Sequence, residues 1–88
     1  MSDASDVVNV ELSDWGIKRT NLNTTHVIGD AEDGHRVSSP IVEYDAQRQL
    51  ARTLSGRYYA LIGPETGGSE NARLMWTAFK QQHGLVEV

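Results

Sequence analysis

Apolar and polar residues alternate along this chain in several short runs, each closed by a cluster of turn-forming residues. Val8, Val10 and Leu12 alternate with Asn9 and Glu11, the period of two expected of a strand with one buried face. Asp14-Trp15-Gly16 breaks that run, and Ile17 resumes an apolar position. Lys18 to Thr25 is polar and reads as a loop or irregular edge. His26-Val27-Ile28-Gly29 is a second apolar run, closed by Asp30-Ala31-Glu32-Asp33-Gly34, where Asp-Gly offers the positive φ of a tight turn. His35 to Ser39 is a further extended segment. Pro40 has no N–H to give a neighbouring strand, so it marks a sheet edge, a strand start or a bulge, and Ile41-Val42-Glu43-Tyr44 begins a new pairing. An exposed edge near Pro40 is a place where a partner strand adds.

Gln49 to Leu54 and Tyr58 to Ile62 flank Ser55-Gly56-Arg57 and make the clearest hairpin. A two-residue turn there sets Leu50, Arg52 and Leu54 on one face with Arg57, Tyr59 and Leu61. Gly63 to Gly68 ends the sheet, and Ser69 is suited to cap a helix whose first turn holds Glu70. Ala72, Met75, Trp76, Phe79 and His83 recur at helical spacing, and Gly84 is a suitable stop. Leu85-Val86-Glu87-Val88 reads as a last short strand or an apolar tail.

The expected fold is therefore α+β. An antiparallel, curled sheet of about four to six short strands carries one amphipathic C-terminal helix, from about Ser69 to His83. Sequence-adjacent strands mostly pair as neighbours. The expected core draws on Val8, Val10, Leu12, Val27, Val37, Ile41, Leu50, Leu61, Met75, Trp76 and Phe79. Residues 1–6 are expected to be a disordered leader before a single domain over residues 7–88.

Composition narrows the function classes. A chain of 88 residues has room for one small core, and a homodimer is one way for such a core to gain buried area. Cysteine is absent, which removes disulfides, thiolate metal sites and cysteine nucleophiles and fits a cytoplasmic setting. No apolar stretch approaches the ~20 residues of a membrane span, so no membrane partner is expected. Net charge is −4, divided as −6 over residues 1–45 and +2 over residues 46–88.

No catalytic residue and no cofactor is assigned. His26, Asp30, Asp33 and His35 have metal-ligand chemistry, but their spacing matches no metal signature and reads as a solvated acidic turn. The Gly63–Ser69 connector lies where phosphates bind, at a helix N-terminus, yet Gly68 stands where a P-loop needs lysine. Ser38, Ser39 and Ser55 lack the G-x-S-x-G setting of an activated nucleophile.

Arg48, Arg52 and Arg57 with Tyr58 and Tyr59 form a basic-aromatic patch on the central hairpin. Arginine and tyrosine dominate protein-interface hot spots, so these five are the candidate partner-binding residues. Trp15 joins them, as a lid over the sheet edge or an exposed contact residue. The leading expectation is a small protein-binding module. The alternative is a nucleic-acid-binding accessory protein, since the same side chains stack bases and bind phosphates; a sequence pI of about 5.2 counts against it. A metal-binding protein or enzyme is the second alternative.

Asp33-Gly34-His35-Arg36-Val37-Ser38-Ser39-Pro40-Ile41-Val42 followed by Thr53-Leu54-Ser55-Gly56-Arg57-Tyr58-Tyr59-Ala60-Leu61-Ile62-Gly63 resembles a pattern in small proteins of bacteriophages and mobile elements. The shared features are two turns, one proline and alternating apolar residues, and they carry no catalytic group. The resemblance implies context: a short acidic domain that binds a bacterial host protein or complex, as inhibitors of host defence such as anti-CRISPR proteins do.

Overall fold

The computed structural model describes residues 8–88. The expected leader, residues 1–6, lies outside the described residues. Six strands, β1 (Val8–Arg19), β2 (Thr25–Ala31), β3 (Gly34–Val37), β4 (Ile41–Asp45), β5 (Leu50–Thr53) and β6 (Tyr58–Leu61), precede one helix, α1 (Glu70–His83). The strands form one sheet in the order β3-β2-β1-β6-β5-β4. All neighbouring pairs are antiparallel except β1–β6, which is parallel, so the α+β architecture carries a mixed sheet.

Sequence-adjacent strands pair throughout except at Pro40. There the chain leaves β3 and enters β4 without pairing them, and these two strands become the sheet's opposite edges. The missing proline N–H fits this break. The sheet curls but does not close. Ser39 Oγ, in the β3–β4 link, donates to Ser55 Oγ of the β5–β6 loop at 3.2 Å, and the Leu54 N–H donates to the Pro40 carbonyl at 2.8 Å, which carries the β4–β5 pairing past Ile41 and Thr53.

The segment Asp14-Trp15-Gly16 does not end β1. Ser13 pairs with Asp30 and Gly16 with Ile28, so two residues of β1 oppose Gly29 alone. This is a β-bulge, and Asp14 supplies its left-handed residue at φ 47°. The extra residue changes the phase of the strand. Val10 and Leu12 face the core before the bulge, and Trp15 and Ile17 face it afterwards. Lys18 and Arg19, expected in a loop, pair with His26 and Thr25 for the same reason.

The β5–β6 hairpin also differs from the two-residue expectation. Its loop spans Leu54 to Arg57, with Gly56 at φ 86°, and Leu50, Ala51 and Arg52 pair with Ala60, Tyr59 and Tyr58. The longer loop shifts the faces by one residue. Ala51, Thr53, Tyr59 and Leu61 are buried, and Arg52 lies opposite Tyr58 on the other face.

Two apolar clusters result. Leu12, Trp15, Val27, Ala51, Tyr59 and Leu61 fill the inside of the curled sheet. Ile28, on the reverse face of β2, packs with Ala72 and Trp76 of α1, and Val37 and Phe79 flank them. Burial on both faces explains why His26-Val27-Ile28-Gly29 reads as a continuous buried run. Of the expected core, Leu12, Val27, Leu61 and Trp76 are buried, and Val10, Val37, Ile41 and Phe79 pack at the rims. Leu50 is half-buried, whereas Met75 is 44% exposed. Met75 is one residue off the Ala72–Trp76 line, which lets it face outward. The side chain of Val8 is outside the described ones.

Ser69 caps α1 by accepting the Ala72 N–H at 3.1 Å, and Gly84 ends it at φ 66° in the left-handed conformation. The connector before the helix lies directly on the bulge. Thr66 and Gly67 donate to the Trp15 carbonyl and Ser69 donates to that of Asp14. The C-terminal segment pairs with the end of β1, Glu87 opposite Thr20, and the Val88 N–H donates to the Arg19 carbonyl at 3.0 Å.

Candidate functional site

The hairpin places its arginines in three different settings. Arg48 lies in the β4–β5 turn, 73% exposed, with Asp45 at 3.7 Å. Asp45 also accepts the backbone N–H groups of Gln47 and Arg48, which fixes the turn. Arg52 projects from the outer face to Glu43 at 3.2 Å, beside half-buried Tyr58. Arg57 is exposed in the β5–β6 loop and is directed to the opposite side. Among the described residues no carboxylate forms an ion pair with it.

Trp15 is not an exposed contact residue. It is 3% exposed within the inner cluster, and its Nε1–H donates to the Gly63 carbonyl at 3.2 Å. The bulge turns it inward. Tyr59 is likewise core at 4% exposure, so it reaches solvent only as part of a groove floor. The six candidates therefore do not form one patch.

What the fold does assemble is a groove of about 690 Å³ between α1, β3 and the β5–β6 loop. Met75, Ala78 and Phe79 line it from the helix, Val37 from β3, and Tyr59 from the sheet interior. Arg57, Ser55, Ser39 and Gln82 form a polar rim, with Asp33, His35 and Arg36 at one end. Arg36 donates to Asp33 at 2.9 Å. That guanidinium holds the Asp33 carboxyl below its usual range, with a smaller contribution from Arg57. The same bond, helped by Tyr59, raises Arg36 above its ordinary value.

Of the four residues with metal-ligand chemistry, Asp30 and His35 meet, while His26 is buried against the helix and Asp33 accepts from Arg36. His26 is 2% exposed and stacks near Trp76 and Phe79, with ring centroids 5.3 and 5.4 Å away. Its Nδ1–H donates to the Ser38 carbonyl at 2.8 Å, and its Nε2 is hydrogen-bonded with the Thr24 hydroxyl at 2.9 Å. Asp30 accepts from Ser69 at 2.6 Å and from His35 at 2.7 Å, and these bonds, Ser69 first, lower its pKa. Among the described residues no three such groups converge. Ser38 is buried, accepting the Val27 N–H and donating to the Ser39 carbonyl, so its hydroxyl serves the backbone.

A second groove, about 1060 Å³, opens between the first half of β1 and the β2–β3 turn. Glu11, Asp30, Glu32 and Asp33 make it acidic, with Arg36 the one basic residue among its described lining. Comparison with protein-family models, curated proteins and solved structures finds no match.

Sequence reasoning singled out Arg57 and Tyr59 but assigned Met75 and Phe79 to the core and passed over Arg36. One signal pointed to the helix: α1 carries Leu74, Met75 and Ala78 beyond the Ala72–Trp76–Phe79 line, more apolar positions than a single buried stripe uses.

Proposed function

We propose that this chain is a small protein-binding module whose binding surface is the groove between α1, β3 and the β5–β6 loop. The observation that carries this reading is an apolar floor with exposed Met75 beside Arg57, an arginine without a carboxylate partner among the described residues. An apolar centre with a polar rim is the anatomy of a protein interface, and methionine and arginine are enriched there. The partner proposed is a bacterial host protein or complex in the cytoplasm. The resemblance over residues 33–63 favours, within that class, a phage or mobile-element inhibitor. Homodimerisation through the groove is the other form of the same reading.

The nucleic-acid alternative needs a basic stripe. Arg48 and Arg52 instead sit beside Asp45 and Glu43, on a different side from Arg57. That arrangement favours the protein partner.

The test is capture from bacterial lysate with matched variants. A partner that binds the native chain should be lost with Met75→Glu and with Arg57→Glu, and retained with Arg48→Glu. Loss with Arg48→Glu but not with the groove variants refutes the assignment. Sedimentation of the native chain and Met75→Glu separates a second copy from a foreign partner.

A further inference from the structure

The open edge of the sheet at β3 runs along this groove. We propose that a partner segment binds there by strand addition, extending the sheet beyond β3 and setting a carboxylate against Arg57. The proposal rests on the groove being the binding surface.

The register of β3 decides which backbone groups are on offer. Ala31 pairs with Gly34 across a two-residue turn, Gly29 pairs with Arg36, and the Ser38 N–H donates to the Val27 carbonyl at 2.9 Å. Backbone groups alternate in direction along a strand. Gly34, Arg36 and Ser38 therefore bond toward β2, and the N–H and C=O of His35 and Val37 point to the open edge. Among the described residues no backbone group meets them from that side. An unmatched strand edge is a template for another strand.

The groove makes this edge different from the other one. Beside β3, Val37, Phe79 and Met75 offer an apolar wall on the helix side, and Tyr59 offers another on the sheet side. An added strand sends alternate side chains to those two walls. The β4 edge presents Glu43 and Asp45, each already beside an arginine.

Charge then fixes the partner's chemistry. Asp33 is bonded to Arg36 and feels Arg57 only weakly, and Arg57 forms no ion pair among the described residues. The complementary occupant is an extended protein segment with apolar residues at alternate positions and an Asp or Glu that reaches Arg57, a charge-assisted bond.

The probe is the peptide acetyl-Thr-Val-Glu-Val-Glu-Val-Thr-amide, titrated into the full chain and followed by amide NMR and hydrogen exchange. Saturable shifts and slowed exchange are expected at His35 and Val37. N-methylation of alternate peptide amides should weaken binding roughly tenfold or more, the effect of losing strand hydrogen bonds. Replacing the peptide's Glu residues with Lys should weaken it similarly, and Arg57→Glu should reverse that preference. Absence of binding up to about 1 mM, or equal binding of the N-methylated peptide, overturns strand addition. So does binding that leaves exchange at His35 and Val37 unchanged. The groove reading fails separately, when the captured partner is indifferent to Met75→Glu and Arg57→Glu. A preference for single-stranded DNA over the peptide at the same amides also overturns the proposal.

Discussion

Gly16 has an ordinary backbone conformation, so its role comes from space. A Cβ built on it would meet the backbone of Gly67 far inside contact distance. Gly68 packs as closely on Ile28, where a Cβ would lie 2.6 Å from Cδ1. These two positions let the connector lie flat on the bulge, with its N–H groups bonded to Asp14 and Trp15. Gly16→Ala should therefore cost about 1–3 kcal/mol, the range for overpacking. Urea unfolding should show a lower midpoint with an unchanged slope; an unchanged midpoint would mean that the connector is not held against β1. The bulge itself was legible in principle. Apolar residues occupy positions 8, 10 and 12, then 15 and 17, and a change of phase within one strand requires an extra residue. Asp14-Trp15-Gly16 instead reads as a breaker because its composition is that of a turn.

The helix was more legible than the sheet, because its cap, stop and periodic face are all local. Ser69, Gly84, Ala72, Trp76 and Phe79 take the expected places. Strand pairing depends on loop length and on partners remote in sequence. The β5–β6 faces are displaced by a longer loop, and nothing local announces the parallel β1–β6 pair. Met75 escaped the reading since apolar spacing does not say which of two adjacent stripes is buried. Met75→Ala should accordingly change stability by less than about 0.5 kcal/mol, as at ordinary surface positions. Trp76→Ala should cost about 3–5 kcal/mol. Comparable losses in thermal unfolding would contradict this orientation of α1. Ser69 adds a role no cap rule contains, since its hydroxyl also donates to Asp30. Ser69→Ala should cost about 1 kcal/mol. Ser69→Asp, usually an equal cap, should do no better here, because it sets a second carboxylate beside Asp30.

The two edge strands, the groove and the helix meet in a chain with no disulfide to hold them, so ionised groups matter to the assembly. Two carboxylates tie α1 to the sheet at opposite ends. Asp30 of β2 accepts from Ser69 at the N-terminus of the helix and from His35 of β3. Glu87 accepts from Trp76 Nε1 at 2.7 Å, with Lys80 at 3.4 Å and Lys18 of β1 at 3.9 Å. Both carboxyls are held below their ordinary pKa, Asp30 chiefly by Ser69 and Glu87 chiefly by Trp76. A carboxyl with a depressed folded pKa binds fewer protons in the folded chain than in the unfolded one. Its contribution is complete above the ordinary value of about 4 and is lost as pH falls through the folded value. The thermal midpoint should therefore drop most steeply below about pH 4. Asp33 is at the surface beside Arg36 and should add little. The double variant Asp30→Asn, Glu87→Gln keeps acceptor oxygens for Ser69 and Trp76 but cannot titrate. It should be less stable than the native chain at pH 7 and should lose less on acidification, so that the two curves converge. Parallel curves would mean that other carboxylates govern the acid response and that these two do not secure the helix. The groove gives this an outcome beyond stability. Its helix wall, Met75, Ala78 and Phe79, is carried by the helix that the two carboxylates tie down, so if the groove is the proposed binding surface, acid that releases α1 should weaken binding there over the same pH interval.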